Sequence, residues 1–121
     1  MKTIGTTLVA TMLALSGARA ATYPVSGEWG NDSSSGPGRM DCTNRPVIAF
    51  AGDRRFDTGG KAPPDYRNVS VDQIDPTTFR VVDLFFTGMQ RGNVVYVLTV
   101  VDPDRIEMAM SSATYRLRRC L

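Results

Sequence analysis

The chain contains no histidine. That removes Ser-His-Asp triads, Cys-His dyads and the usual zinc sites from consideration. What remains able to do chemistry is a set of carboxylates, arginines and two cysteines. Asp83 interrupts an apolar run, Val81-Val82-Asp83-Leu84-Phe85. A carboxylate buried in such a run needs a partner. Arg80, Arg116 and Arg118 are the candidates, which makes Asp83 an ion-pair residue first and a ligand-binding residue second. Asp102 and Asp104 flank Pro103 and read as turn residues, with too few oxygen ligands around them for calcium. Lys61 lies in Lys61-Ala62-Pro63-Pro64 with no serine motif to pair with, so a Ser-Lys dyad is not indicated. Gly59-Gly60-Lys61 lacks the spacing of a phosphate loop. No metal or cofactor is expected.

Asp57-Thr58-Gly59 resembles the core motif of aspartic proteases, some of which are homodimers of short chains that each supply one aspartate to a shared-proton dyad. The flanks depart from that pattern. Arg55-Phe56 precedes the motif where an apolar pair is usual, and Gly60 follows where Ser, Thr or Ala is usual. A dimeric aspartic protease is therefore the remote alternative, and the chain is read as a non-enzyme.

Residues 1–20 read as a secretory signal: Lys2 at the start, an apolar core from Ile4 to Leu15, and Ala18-Arg19-Ala20 as a small-x-small cleavage site. Residues 21–121 then form a single domain. Cleavage removes Lys2 and Arg19, which leaves 12 of the 14 basic residues against 12 acidic ones. That balance argues against a nucleic-acid partner, which would want a basic excess. In an oxidising compartment, periplasmic or extracellular, Cys42 and Cys120 pair as a disulfide. The bond closes a loop of about 78 residues and stabilises the fold by roughly 4–5 kcal/mol as an upper bound.

The rest of the chain reads as strands. Val25 to Trp29 opens, and Pro46 to Ala51 turns at Gly52-Asp53 into Arg54 to Asp57. Tyr66 to Asp72 alternates, with Val69 and Val71 on one face and Asn68 and Ser70 on the other. Thr78 to Thr87 follows the Asp75-Pro76 turn. A hairpin loop over Gly88 to Asn93 leads into Asn93 to Val101, the most β-branched stretch of the chain. Arg105 to Met110 and Ala113 to Cys120 complete the set, with Tyr115 and Leu117 facing one way and Arg116 and Arg118 the other.

Turn signals every 8–12 residues make this an all-β chain: a small antiparallel meander of about eight strands, closed or nearly closed as a barrel, with one disulfide. Thr78 to Phe86 and Asn93 to Val101 are apolar on both faces, so one face fills a core and the other can meet a partner.

Gly27-Glu28-Trp29 on the first strand and Arg116 and Arg118 on the last resemble the pattern of the calycin superfamily, the lipocalin-like barrels. The resemblance implies that Trp29 packs under one of those two arginines at the barrel bottom. It also implies a likeness to small secreted members that inhibit proteases in the periplasm.

These features predict a small secreted or periplasmic binding protein, such as an enzyme inhibitor, whose partner is a protein of the envelope or extracellular space. Its binding residues are expected on two loops at one barrel end. Asn31, Asp32 and Arg39 belong to the Ser/Gly-rich loop, and Lys61, Tyr66 and Arg67 to the proline-stiffened one. Tyr-Arg is a pair favoured at interface centres. The alternative is a structural or assembly component of the envelope that docks through the apolar face of Phe79 to Phe86. A small-molecule ligand or an oligomer would fit the same chain, and no membrane span is expected.

Overall fold

The computed structural model describes residues 21–32, 36–59 and 64–121. The signal segment, the centre of the Ser/Gly-rich loop and Lys61 lie outside the described residues. Eight strands follow in chain order: β1 (Gly27–Asn31), β2 (Val47–Ala51), β3 (Arg54–Asp57), β4 (Asp65–Asp75), β5 (Thr78–Phe86), β6 (Arg91–Asp102), β7 (Arg105–Ala109) and β8 (Thr114–Arg119). Each pairs antiparallel with the next, and β8 pairs with β1 through Trp29↔Arg119, Gly30↔Arg118 and Asn31↔Leu117. The expected meander is therefore a closed barrel, which leaves no sheet edge exposed.

The alternation of the strands fills the interior with Trp29, Phe50, Val81, Tyr96, Leu98, Ile106, Met108 and Leu117. Tyr23, ahead of β1, joins them. Its amide donates to the Gly52 carbonyl at 3.0 Å, and its ring meets Phe50 edge-on with centroids 4.9 Å apart. The N-terminal segment thus closes one end of the barrel, the end that carries the β2–β3 and β6–β7 turns. The opposite end carries the β1–β2, β3–β4, β5–β6 and β7–β8 connections and forms the barrel mouth.

Three details differ from the sequence expectation. β1 begins at Gly27 rather than Val25, because Gly27 sits at φ +90° and the Ser26 carbonyl is taken by Trp29 Nε1 at 3.1 Å. The loop after β5 is short, with Thr87 donating to the Gln90 carbonyl at 2.9 Å, so β6 starts at Arg91. In β4 a register shift falls between Asn68 and Ser70, which leaves Val69 bulged outward while Asn68 and Val71 both point in. Val69 and Val71 therefore do not share a face. Asn68, which fits a glycosylation acceptor pattern in the sequence, is buried.

Cys42 and Cys120 form the expected disulfide. It pins the β1–β2 connection to the outside of the barrel. Met40 donates to the Arg119 carbonyl at 2.9 Å, Leu121 donates to the Met40 carbonyl at 2.8 Å, and a Cβ on Gly30 would lie 3.0 Å from Cys42 Sγ. A disulfide of this kind is the chemistry of an oxidising compartment. Among the described residues no helix is long and apolar enough to cross a membrane.

Candidate functional site at the barrel mouth

The interior of the barrel is charged at its centre. Asp83 and Tyr96 are fully buried on neighbouring strands, and Tyr96 donates to Asp83 Oδ2 at 2.8 Å. Asn68 Nδ2 donates to Asp83 Oδ1 at 3.1 Å. The cation opposite is Arg55, with Nη1 3.5 Å from Asp83 Oδ2. None of the three arginines expected from the sequence pairs with Asp83. Strand parity explains why. Arg80 lies three positions from Asp83 and so on the other face, while Arg116 and Arg118 flank the inward Leu117 and point out. Arg116 approaches Glu107 at 3.6 Å, and Arg118 is held by Asp32 at 2.9 Å and donates to the Gly38 carbonyl at 2.9 Å.

Arg55 links this buried group to the mouth. Its Nε and Nη2 donate to both oxygens of Asp57, at 2.9 and 2.7 Å. Its plane lies 4.0 Å from the Tyr66 ring centroid and 5.5 Å from that of Tyr96. Burial works against the guanidinium charge, but pairing with Asp57 outweighs it and holds the pKa of Arg55 above its ordinary value. Burial, with the Asp83 charge behind it, pushes the Tyr96 phenol up, and the same two causes raise Tyr23. Tyr66 is raised by burial against the pull of Arg55.

Above this group the mouth opens as a cleft of about 330 Å³. Ile48, Met108 and Met110 give it apolar walls, Tyr66 and Tyr115 give it aromatic ones, and Arg55 and Asp57 form its polar floor. A smaller cleft of about 150 Å³ adjoins it and shares Ile48, Asp57 and Tyr115. Asp57 is 23% exposed, which makes it the carboxylate through which the buried group meets solvent. Gly59, two residues on, sits at φ +103°, and a Cβ there would lie 2.7 Å from Pro46, so the chain leaving Asp57 can pass this point only as glycine.

The residues expected to bind do not gather in one place. Tyr66 lines the larger cleft and Asn31 the smaller one. Asp32 stands at the same end but is engaged by Arg118. Arg67 is exposed on β4, on the opposite face from Tyr66 and Asn68. Arg39 lies at the far end, because the β1–β2 connection descends the outside of the barrel and Arg39 pairs with Asp104 of the β6–β7 turn at 3.2 Å. The arginine over Trp29 is Arg119, 4.4 Å from the ring, rather than Arg116 or Arg118. Both oxygens of Asp57, the residue that a protease dyad would use, accept from Arg55.

Sequence patterning does not mark Arg55, Met108, Met110 or Tyr115 as site residues. For Arg55 a signal exists. A two-residue turn at Gly52-Asp53 pairs Ala51 with Arg54 and Phe50 with Arg55. Residues directly opposite share a face, so an inward Phe50 forces Arg55 inward and the apolar Phe56 outward. Among the described residues no cluster of His, Cys, Asp or Glu could hold a metal ion. No protein family, curated protein or solved structure was found to match the chain.

Proposed function

We propose that the protein works by binding, as a small periplasmic or secreted protein that takes a protein partner at the barrel mouth, with enzyme inhibition as the simplest consequence of such capping. The observation that carries this reading is the cleft itself: two tyrosines and Met110 stand over the pair of a buried Arg55 and a part-exposed Asp57. A stably buried charge group is costly to build and contributes little net stability. Its position under an open cleft, rather than in a sealed core, supports a recognition role. Tyrosine and methionine are enriched where proteins meet.

The test is native mass spectrometry of the protein purified from its own envelope or medium, alongside a Tyr115→Ala variant. Tyr115 is 45% exposed, so the change should leave the fold intact. A partner carried by the wild type and lost from the variant supports the reading, and a partner retained equally by both opposes it.

A second reading has its own observation. The outer face of β4–β6 presents Val69, Phe86 and Val95 at 53%, 36% and 45% exposure. Half-buried Val82, Leu84 and Val97 lie between them. Such a patch suits assembly into a larger complex. Phe85 is not part of it. It points inward, packs on Gly92 and meets the Tyr66 ring at 6.4 Å. Val95→Asp should release a monomer if this face assembles, and an unchanged mass would remove the idea.

A further inference from the structure

We infer that the cleft at the barrel mouth recognises a cation, namely a basic side chain, arginine or lysine, presented by the protein partner, with Asp57 as its counter-ion; this rests on the mouth being the binding site. Three observations converge. The first is charge. Two carboxylates face the single guanidinium of Arg55: Asp57, which lines the cleft with it, and Asp83, which is fully buried behind them and outside the cleft lining. Of the two charged groups lining the cleft, the carboxylate of Asp57 is the one exposed to it, and that sign of charge draws in the opposite one.

The second is access. Arg55 is 3% exposed, gives one edge to Asp57 and approaches Asp83 with the other, and has Tyr66 over its face. An anion entering the cleft would find that guanidinium already neutralised. Asp57 is 23% exposed and lines both adjoining clefts. Each of its oxygens accepts one hydrogen bond from Arg55 and keeps a further lone pair. Covering those lone pairs with an apolar group would leave them unsatisfied at a cost. An N–H donor of a cation satisfies them.

The third is the wall. Tyr66 and Tyr115 offer ring faces and edges to a cation, and Met110 offers a polarisable thioether to its aliphatic stem. A cleft of about 330 Å³ accommodates a single long side chain.

The test compares acetyl-arginine amide with acetyl-citrulline amide, which has nearly the same shape and no charge. Each is titrated into the full folded protein while the NMR signals of the Met108 and Met110 methyl groups and the Tyr115 ring are followed. The charged probe should bind about tenfold more tightly, the difference expected of one charge-assisted hydrogen bond. Asp57→Asn should abolish that preference. If Asp57→Asn does not fold, Met110→Lys, which places a cation at the cleft itself, should abolish binding of the charged probe instead. Equal affinity for the two probes overturns the inference while leaving the mouth as a binding site. No shift at the mouth with either probe also overturns it, as does a charge preference that survives the variants. The mouth reading itself fails separately, if Tyr115→Ala leaves partner capture unchanged.

Discussion

Tyr96 and Asp83 sit on adjacent strands, two residues out of direct register, and share a 2.8 Å hydrogen bond in an interior that solvent does not reach. That bond ties the hydrophobic core to the charged group beneath the mouth. Asp83 also receives Asn68 and faces Arg55, so one carboxylate organises side chains from β3, β4 and β6.

Removing Asp83 should therefore cost more than removing an apolar residue of its size. Asp83→Ala leaves Arg55 with one carboxylate and strands the Tyr96 phenol, while the Asn68 amide keeps the Ser70 and Val82 carbonyls. The expected loss is about 3–5 kcal/mol, the range for breaking one side of a buried pair. Urea denaturation measures it. Adding Arg55→Met should not restore the loss, because Asp57 then loses the donor to both of its oxygens.

Alkaline pH should unfold the protein through its buried tyrosines. The pKa values of Tyr23 and Tyr96 are raised in the folded state, so above about pH 10 the unfolded chain ionises while the native one keeps its protons. The unfolded state then binds fewer protons, and stability falls as pH rises. The stabilisation is fully present below about pH 10 and is lost progressively above it. Phenolate absorbance from these two of the four tyrosines should appear together with the loss of near-ultraviolet circular dichroism, not before it.

Reduction of Cys42–Cys120, which closes a 78-residue separation, should cost about 2–5 kcal/mol. The effect should be local in structure as well. The β1–β2 connection would be left with its backbone bonds at Met40, the Arg118 bond to the Gly38 carbonyl and the Arg39–Asp104 pair to hold it. Thermal melts of Cys42→Ser/Cys120→Ser measure the cost, and amide exchange over residues 36–45 measures the local loosening.

Arg119→Ala should uncover Trp29. The guanidinium lies 4.4 Å from the indole and donates to the Ser26 carbonyl at 3.0 Å and the Pro103 carbonyl at 3.1 Å. Because the arginine is partly exposed, the stability loss should be modest, about 1–2 kcal/mol. Trp29 is the only tryptophan, so its fluorescence should shift to the red without unfolding.

Much of the barrel is legible in the sequence. The turns at Gly52-Asp53, Asp75-Pro76, Asp102-Pro103-Asp104 and Ser111-Ser112 all separate strands, because glycine, proline and aspartate impose local backbone geometry whatever the tertiary context. The disulfide follows from having two cysteines. The site is less legible. Alternation fails at Val69 because one bulged residue reverses the facing of the residues after it, and nothing local marks it. The loop around Arg39 departs from the mouth because its course is set by long-range ties, to Asp104 and to Cys120 through Met40 and Cys42. Arg55 is hidden by its type: an arginine in a four-residue strand reads as solvated until the register across Gly52-Asp53 is worked out.

The most direct test of mouth recognition is a hydrogen-exchange footprint of the protein with and without the partner that co-purifies with it. Protection should concentrate at the ends of β2, β3, β4, β7 and β8 around Ile48, Asp57, Tyr66, Met110 and Tyr115. Protection confined to the outer face of β5 and β6, around Leu84 and Val95, would contradict it and assign the partner to the sheet face instead.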